Sequence, residues 1–256
     1  MLALDSLLPM ALLAVGAWLA SLLKNDVSIA DSLWPLLILL AATTYAIAAP
    51  QTGPRTVVVL VLVSIWALRL AAHITWRSWG EPEDHRYKAM RARNAPYFRW
   101  KSLGLVFGLQ AMLAWVVSLS VLAAVINLAP WNWIDTLGVC AVVFGAVFEA
   151  VADLQLARFK ADPAHRGKVM DRGLWRSSRH PNYFGEFCVW WGIYLIALSP
   201  HAWWSIASPV LMTVLLLKVS GVALLEQDIT ERRPGYREYT ARTNAFFPGR
   251  VRQTQH

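Results

Sequence analysis

Glu149 and Asp153 stand four residues apart inside an apolar stretch, and Asn182 and Glu186 repeat that spacing further along. In a helix, residues at i and i+4 share a face, so each pair would set two hydrogen-bonding groups side by side. An ionisable group at the centre of a membrane span costs about 2.5 to 3.5 kcal/mol, so each of these acids calls for a partner or a task. At about 1.5 Å per residue from Trp133, Glu149 and Asp153 fall roughly 24 and 30 Å along their helix, and Glu186 only about 8 Å beyond Pro181. Glu226 and Asp228 follow a later apolar run on the same side. The spacing predicts carboxylates gathered at one end of a set of helices. For any one of them, a helix-end salt bridge or cap is the simpler account.

The most specific segment is Arg179-His180-Pro181-Asn182-Tyr183-Phe184-Gly185-Glu186. Proline at the first turn of a helix sacrifices no hydrogen bond, and Ser177 and Ser178 supply a polar approach to it. The free N–H groups and positive dipole end of such a helix, backed by Arg172, Arg176, Arg179 and His180, suit phosphate groups. The same kind of helix start is also common where nothing binds. The chain has no Gly-x-Gly-x-x-Gly, Walker, His-Glu-x-x-His or paired Cys-x-x-Cys motif, so dinucleotide binding of the Rossmann type, nucleotide hydrolysis and structural zinc lack their usual parts. His85, His165 and His180 are too far apart in sequence to read as a metal cluster, and no metal is expected. Cys140 and Cys188 lie in apolar stretches and read as two buried small hydrophobes.

The elements that must position these groups follow from composition. Of the 256 residues 57% are apolar and 16% charged, with 14 tryptophans, against about 45 to 50% apolar and 25% charged in soluble domains. This excludes a disordered tail, a coiled-coil rod and a disulfide scaffold, and predicts an all-α integral membrane protein. Seven apolar runs have the length of a span: 7–23, 33–50, 56–76, 103–128, 133–157, 183–199 and 202–225. The first lacks the basic start and cleavage site of a signal peptide. The segments 77–101 and 158–182 and the tail after 225 hold 20 of the 24 Lys and Arg residues, all after odd-numbered spans, whereas the opposite connections hold Arg55 alone. By the positive-inside rule the N-terminus lies outside and the C-terminus in the cytoplasm. The net charge of +8 is then loop charge facing an anionic leaflet or ligand, and no nucleic-acid partner is expected. A single transmembrane domain over 1–256 is predicted.

From Glu149 onward the chain resembles the steroid 5-alpha-reductase family, and especially its bacterial branch, the domain-of-unknown-function 1295 proteins. The resemblance rests on Gly173-Leu174-Trp175-Arg176-Ser177-Ser178-Arg179-His180-Pro181-Asn182-Tyr183-Phe184-Gly185-Glu186, on Trp190, on the Glu149/Asp153 pair, and on Tyr236, Tyr239, Arg242 and Pro248. Residues 26–34 and 81–87 look like segments of the bacterial branch, and the most family-like part is 149–256. The resemblance implies a membrane reductase of a bacterial inner membrane that uses NADPH to saturate a C=C bond conjugated to a ketone, as in a 4-ene-3-oxo steroid or a similar lipid. It implies cofactor contacts at Glu149, Asp153, Lys168, Arg172, Arg179, His180, Asn182, Tyr183, Glu186, Tyr239 and Arg242, facing the cytoplasm.

Such a reaction also needs a donor for the ketone oxygen, on which charge develops. Animal members of the family use a tyrosine on the third helix, and a register set by Arg69 puts Trp66 there. The candidates in this chain are Asp31, His73 and Tyr87. Each has a structural alternative: a helix cap, a hydrogen-bonder between helices and an interfacial aromatic. Two other functions fit parts of the pattern. An isoprenylcysteine-type methyltransferase using S-adenosylmethionine shares the Arg-His-Pro-x-Tyr-x-Gly run, and a non-catalytic lipid carrier would place its acids nearer the membrane midplane.

Overall fold

A computed structural model describes residues 2–219 and 235–251, and among them every regular element is helical. The main helices are α1 (Leu7–Lys24), α2 (Ile29–Ala48), α3 (Pro54–Ser78), α4 (His85–Arg93), α5 (Phe98–Ile126), α6 (Trp133–Ala161), α7 (Pro181–Ala197), α8 (Ala207–Val214) and α9 (Tyr236–Arg242). Among the described residues five apolar helices are long enough to cross a membrane: Leu2–Lys24, which includes α1, then α2, α3, α5 and α6. This is compatible with an integral membrane protein.

The first five predicted spans fall on these five helices. The sixth is the 17-residue α7, about 25 Å long against a hydrocarbon core of about 30 Å. The seventh begins as a 3₁₀ turn over Trp203–Ile206, continues as α8 and passes into a π-helical turn over Leu215–Val219. The rest of that run, with Glu226, Asp228, Arg232 and Arg233, lies outside the described residues. The reading of the two cysteines as buried is corrected: Cys140 is exposed on α6 and Cys188 half-buried on α7. An apolar stretch of a membrane helix faces lipid as readily as protein, so hydrophobic context does not imply burial there.

The chain separates into two compact units. The first comprises Met1–Asn132 and Ala197–Ser208, the second Trp133–Ile196 and Pro209–His256. In the first, α2 packs along α3 and also meets α1 and α5. Its core joins Leu37, Ile38, Ala41 and Ala42 of α2 with Val59, Val63, Trp66 and Ala67 of α3, all buried. The alanines let the helix backbones approach, as small residues do between membrane helices. One buried polar chain crosses this unit: Ser6 donates to the Tyr45 hydroxyl at 3.2 Å, which lies 2.9 Å from Ser118 Oγ. Each hydroxyl thereby gains a partner that the apolar surroundings do not supply.

The basic segment 77–101 contains the short helix α4, whose N-cap Asp84 accepts from the backbone N–H of Arg86 at 2.9 Å. Apolar periodicity cannot reveal such an element, because its residues are polar almost throughout.

In the second unit, α6 and α7 run antiparallel with their backbones in direct contact. A Cβ added at Gly145 would lie 2.5 Å from the Gly185 carbonyl oxygen, and one at Gly192 would lie 2.7 Å from that of Gly138. The glycines recur seven residues apart on both helices, so the two contacts stack along one seam. This seam sets the register of the candidate site.

Candidate functional site

The seam places Glu149, one turn beyond Gly145, against α7: a Cβ on Gly185 would stand 2.8 Å from that of Glu149. One turn further, Asp153 Oδ1 accepts a hydrogen bond from Asn182 Nδ2 at 3.2 Å. Glu149, Asp153, His180 and Glu186 are all buried. Asp153 and Asn182, from two distant segments, thus meet at the start of α7, with Glu149 packed one turn away against Gly185.

A carboxylate can only accept, so Asp153 dictates which way the Asn182 amide faces. Its Nδ2 turns to Asp153, and its buried Oδ1 has no hydrogen-bond partner among the described residues. A buried orphan acceptor costs about 1 to 3 kcal/mol, and it suits an N–H donor of a ligand. His180 stacks on Tyr183 with ring centroids 5.4 Å apart and planes 7° from parallel. Its carbonyl accepts the first helical bond, from Phe184 N–H at 3.1 Å.

The loop before α7 is tied down on both sides. On the α6 side, Trp175 Nε1 donates to the Ala152 carbonyl at 3.0 Å, and Gln155 Oε1 accepts from Leu174 N–H at 2.9 Å. Gly173 has φ +57° and lies so close to Gln155 that a Cβ would collide with it. On the other side the C-terminal segment acts as a strap. Tyr239 donates its hydroxyl to the carbonyls of Trp175 and Ser178, Ser178 Oγ donates to the Phe246 carbonyl at 2.7 Å, and Arg179 N–H donates to the Asn244 carbonyl at 2.9 Å.

These contacts give three predicted cofactor residues a structural duty. Arg179 Nη1 donates to the carbonyls of Thr240 and Thr243, at 3.0 and 3.1 Å, Tyr239 holds the loop, and Arg242 pairs with Asp171. Lys168 and Arg172 are exposed, as is Arg176. Arg172 and Arg176 have no ion pair among the described residues, so their charge is available to an anion.

Sequence reasoning missed Gln155 and Asp171, which hold this loop, and a cavity of about 200 Å³ at the end of α6. There the His165 ring stacks on Phe159 at 4.3 Å and 11°, with Nδ1 3.3 Å from Asp162 Oδ2, and Lys160 and Arg166 border the opening. The run Arg158-Phe159-Lys160, basic residues around an aromatic at the end of a span, was the available signal.

The three donor candidates belong to the first unit. Tyr87 donates its hydroxyl to Asp31 Oδ1 at 2.6 Å, while Arg86 Nη2 donates to Asp31 Oδ2 at 2.8 Å. Arg86 also binds Asp84, through Nε at 3.0 Å. Burial works against the Asp84 charge, but the hydrogen bonds and charge of Arg86 outweigh it and hold that carboxyl below its usual range. Burial first, then the charge and hydrogen bond of Asp31, push the Tyr87 phenol well above the ordinary tyrosine value. As it stands, the Tyr87 proton is committed to Asp31. His73 is half-buried on α3, with its ring 6.1 Å from that of Trp76. Two residues on, Thr75 Oγ1 donates to Ser32 Oγ at 3.0 Å, which joins this end of α3 to the start of α2.

Residues 17–243 match the family described as Protein of unknown function (DUF1295), and the chain belongs to that family. It is also similar to an uncharacterized protein of Schizosaccharomyces pombe, 26% identical over 269 residues that cover 90% of this chain and 75% of the relative. No solved structure gives a match.

Proposed function

We propose that this protein is a membrane-embedded, NADPH-dependent reductase of the steroid 5-alpha-reductase type, acting on a C=C bond conjugated to a ketone in a steroid-like or other lipid. In this reading it crosses a bacterial inner membrane seven times, with its N-terminus outside and its C-terminus and cofactor site at the cytoplasmic face. The observation that carries it is the Asp153–Asn182 pair with its orphaned, buried Oδ1. The donor set suits the cofactor. A nicotinamide carboxamide offers the N–H that this oxygen lacks, and Glu186 shares the face of Asn182. Lys160, Arg166, Lys168, Arg172 and Arg176 offer cations for three phosphate groups.

Bound NADPH would supply a hydride. The part of the chain is to hold the nicotinamide end with Asn182 and Glu186, to hold phosphates at the basic loop, and to stabilise charge on a ketone oxygen from Asp31, His73 or Tyr87. Tyr87 can serve as that donor only by releasing Asp31.

The test is thermal unfolding of the detergent-purified chain with NADPH, NADH or S-adenosylmethionine. A ligand at a hundred times its Kd stabilises by about 2.7 kcal/mol. NADPH is expected to raise the Tm most, and Asn182→Ala and Glu186→Ala each to weaken NADPH binding by roughly tenfold, the worth of one hydrogen bond to a buried group. Equal shifts from all three ligands remove the phosphate argument. A shift from S-adenosylmethionine alone favours the methyltransferase, and full NADPH affinity in both variants overturns the assignment of the pair.

A further inference from the structure

The cavity at the end of α6 has a volume of about 200 Å³. Pockets that enclose a drug-sized ligand run from about 300 to 1,000 Å³, so this one suits a single compact group rather than a steroid, an acyl chain or a whole nucleotide. Phe159, Lys160, Asp162, His165 and Arg166 are among its lining residues. The turn that carries His165 and Arg166 is held by its own hydrogen bonds. Asp162 Oδ1 accepts from Ala164 N–H at 2.8 Å, His165 N–H donates to the Asp162 carbonyl at 3.0 Å, and Arg166 N–H donates to the Pro163 carbonyl at 3.2 Å. Gly167 closes the turn at φ +77°. Buried Phe159 backs the His165 ring, whose Nδ1 stands 3.3 Å from Asp162 Oδ2, and Nε2 is left for another partner.

Asp162 is the single carboxylate among the lining residues, against Lys160 and Arg166. Carbonyls at the C-terminal end of a helix attract cations, which accounts for Arg158 and Lys160 with no ligand at all. Arg166 is different: it lies beyond the helix, is exposed and has no ion pair among the described residues. The position of the cavity relative to Asn182 points to what it receives. Lys160 follows Asp153 by seven residues on α6, two turns along the same face and about 10 Å away. Between those two levels, Gln155 fixes to α6 the loop bearing Arg172 and Arg176, through Leu174 N–H at 2.9 Å. By level along α6 the order is the Asp153–Asn182 pair, two exposed arginines, then the cavity. NADPH carries its nicotinamide, its pyrophosphate and its monoester phosphate in that same order.

We propose that the cavity is the subsite for the monoester phosphate on the adenosine ribose of NADPH, received by Arg166 and His165 with Lys160, while Arg172 and Arg176 face the pyrophosphate. The inference rests on the reductase reading. A phosphate monoester brings nearly two charges and three acceptor oxygens, which match a guanidinium fork, an imidazole N–H and an ammonium. The pyrophosphate is common to NADH and NADPH, whereas the monoester belongs to NADPH alone. This subsite therefore sets the choice between the two.

The experiment is calorimetric titration of the full chain in detergent with NADPH and with NADH, a readout that needs no turnover. Wild type is expected to bind NADPH more tightly than NADH by tenfold or more. Arg166→Ala and His165→Ala should each weaken NADPH by roughly tenfold, the worth of one hydrogen bond to a charged group, and leave NADH unchanged. Arg172→Ala should weaken both nucleotides alike. Adenosine 2′-monophosphate should compete with NADPH better than adenosine 5′-monophosphate or inorganic phosphate, and Arg166→Ala should abolish that advantage. Binding of neither nucleotide by wild type overturns the reductase reading and the subsite with it. Equal affinity for the two nucleotides, or a preference for NADPH that survives both Arg166→Ala and His165→Ala, overturns the subsite alone. Inorganic phosphate competing as well as adenosine 2′-monophosphate would make the cavity a site for free phosphate and overturns its assignment to the nucleotide.

Discussion

At the scale of single residues, the two candidate centres differ in what their hydrogen bonds leave over. Asn182 is half satisfied: Asp153 takes its amide N–H and its carbonyl oxygen is left without a partner among the described residues. Tyr87 and Asp31 satisfy each other, with Arg86 as the third member. The raised phenol of Tyr87 has a consequence for stability. A group whose folded pKa is raised contributes stability below its unfolded value, here the ordinary 10.0, and that contribution is lost as pH rises through the folded value. Wild type should therefore lose stability above about pH 10, by at most about 1.4 kcal/mol per pH unit for one proton. Tyr87→Phe should show a shallower alkaline limb in thermal melts recorded against pH. Parallel limbs would mean that Tyr87 ionises as an exposed tyrosine does. The identities of Asn182, Asp153, Asp31 and Tyr87 were legible in the sequence. The pairing of Tyr87 with Asp31 was not, because they are separated by two long helices, and no local pattern encodes a contact of that kind.

At the scale of elements, the α6–α7 seam does most to position the site. Gly145 and Gly185 meet backbone to backbone, and only a hydrogen fits between them. Gly145→Ala and Gly185→Ala should each destabilise the protein by about 1 to 3 kcal/mol, the cost of overpacking a tight contact. Gly16→Ala is the control: nothing lies within 4 Å of an added Cβ there, so the change should be neutral or gain up to about 1 kcal/mol of helix propensity. Thermal unfolding in one detergent compares the three, and equal behaviour of Gly145→Ala and Gly16→Ala would refute the seam. The seven-residue spacing of Gly138 with Gly145 and of Gly185 with Gly192 was visible in the sequence and would have aligned the two helices. Helix α4 was not visible, since a polar helix carries no apolar period and is held by its Asp84 cap and by ion pairs.

At the scale of the whole molecule, the distribution of charge is what argues for the proposed topology. With Cys140 and Cys188 replaced by serine, Ala92→Cys and Gln51→Cys place single thiols at exposed positions in a basic and a quiet connection. A membrane-impermeant maleimide applied from the cytoplasmic side should label position 92 and spare position 51. Labelling of both from one side would remove the seven-span arrangement, and the reverse pattern would invert it. The short α7 and the interrupted helix from Trp203 onward make the last two proposed spans the ones that length and composition leave least defined. Apolar runs report how much hydrocarbon a segment can meet, whereas helix ends depend on hydrogen bonds that composition does not record.

Composition and periodicity by themselves determined that the chain is helical and apolar enough for a membrane, where its first five long helices lie, and which few polar residues demand a partner. These properties are local: they depend on the transfer of side chains out of water and on the 3.6-residue turn. Tertiary structure alone decided which of those residues meet. It brought Asn182 to Asp153, gave Tyr87 to Asp31, and committed Arg179, Tyr239 and Arg242 to contacts between the loop before α7 and the strap, because each of these outcomes depends on how closely two backbones can approach and on which donors remain once neighbouring segments have taken theirs.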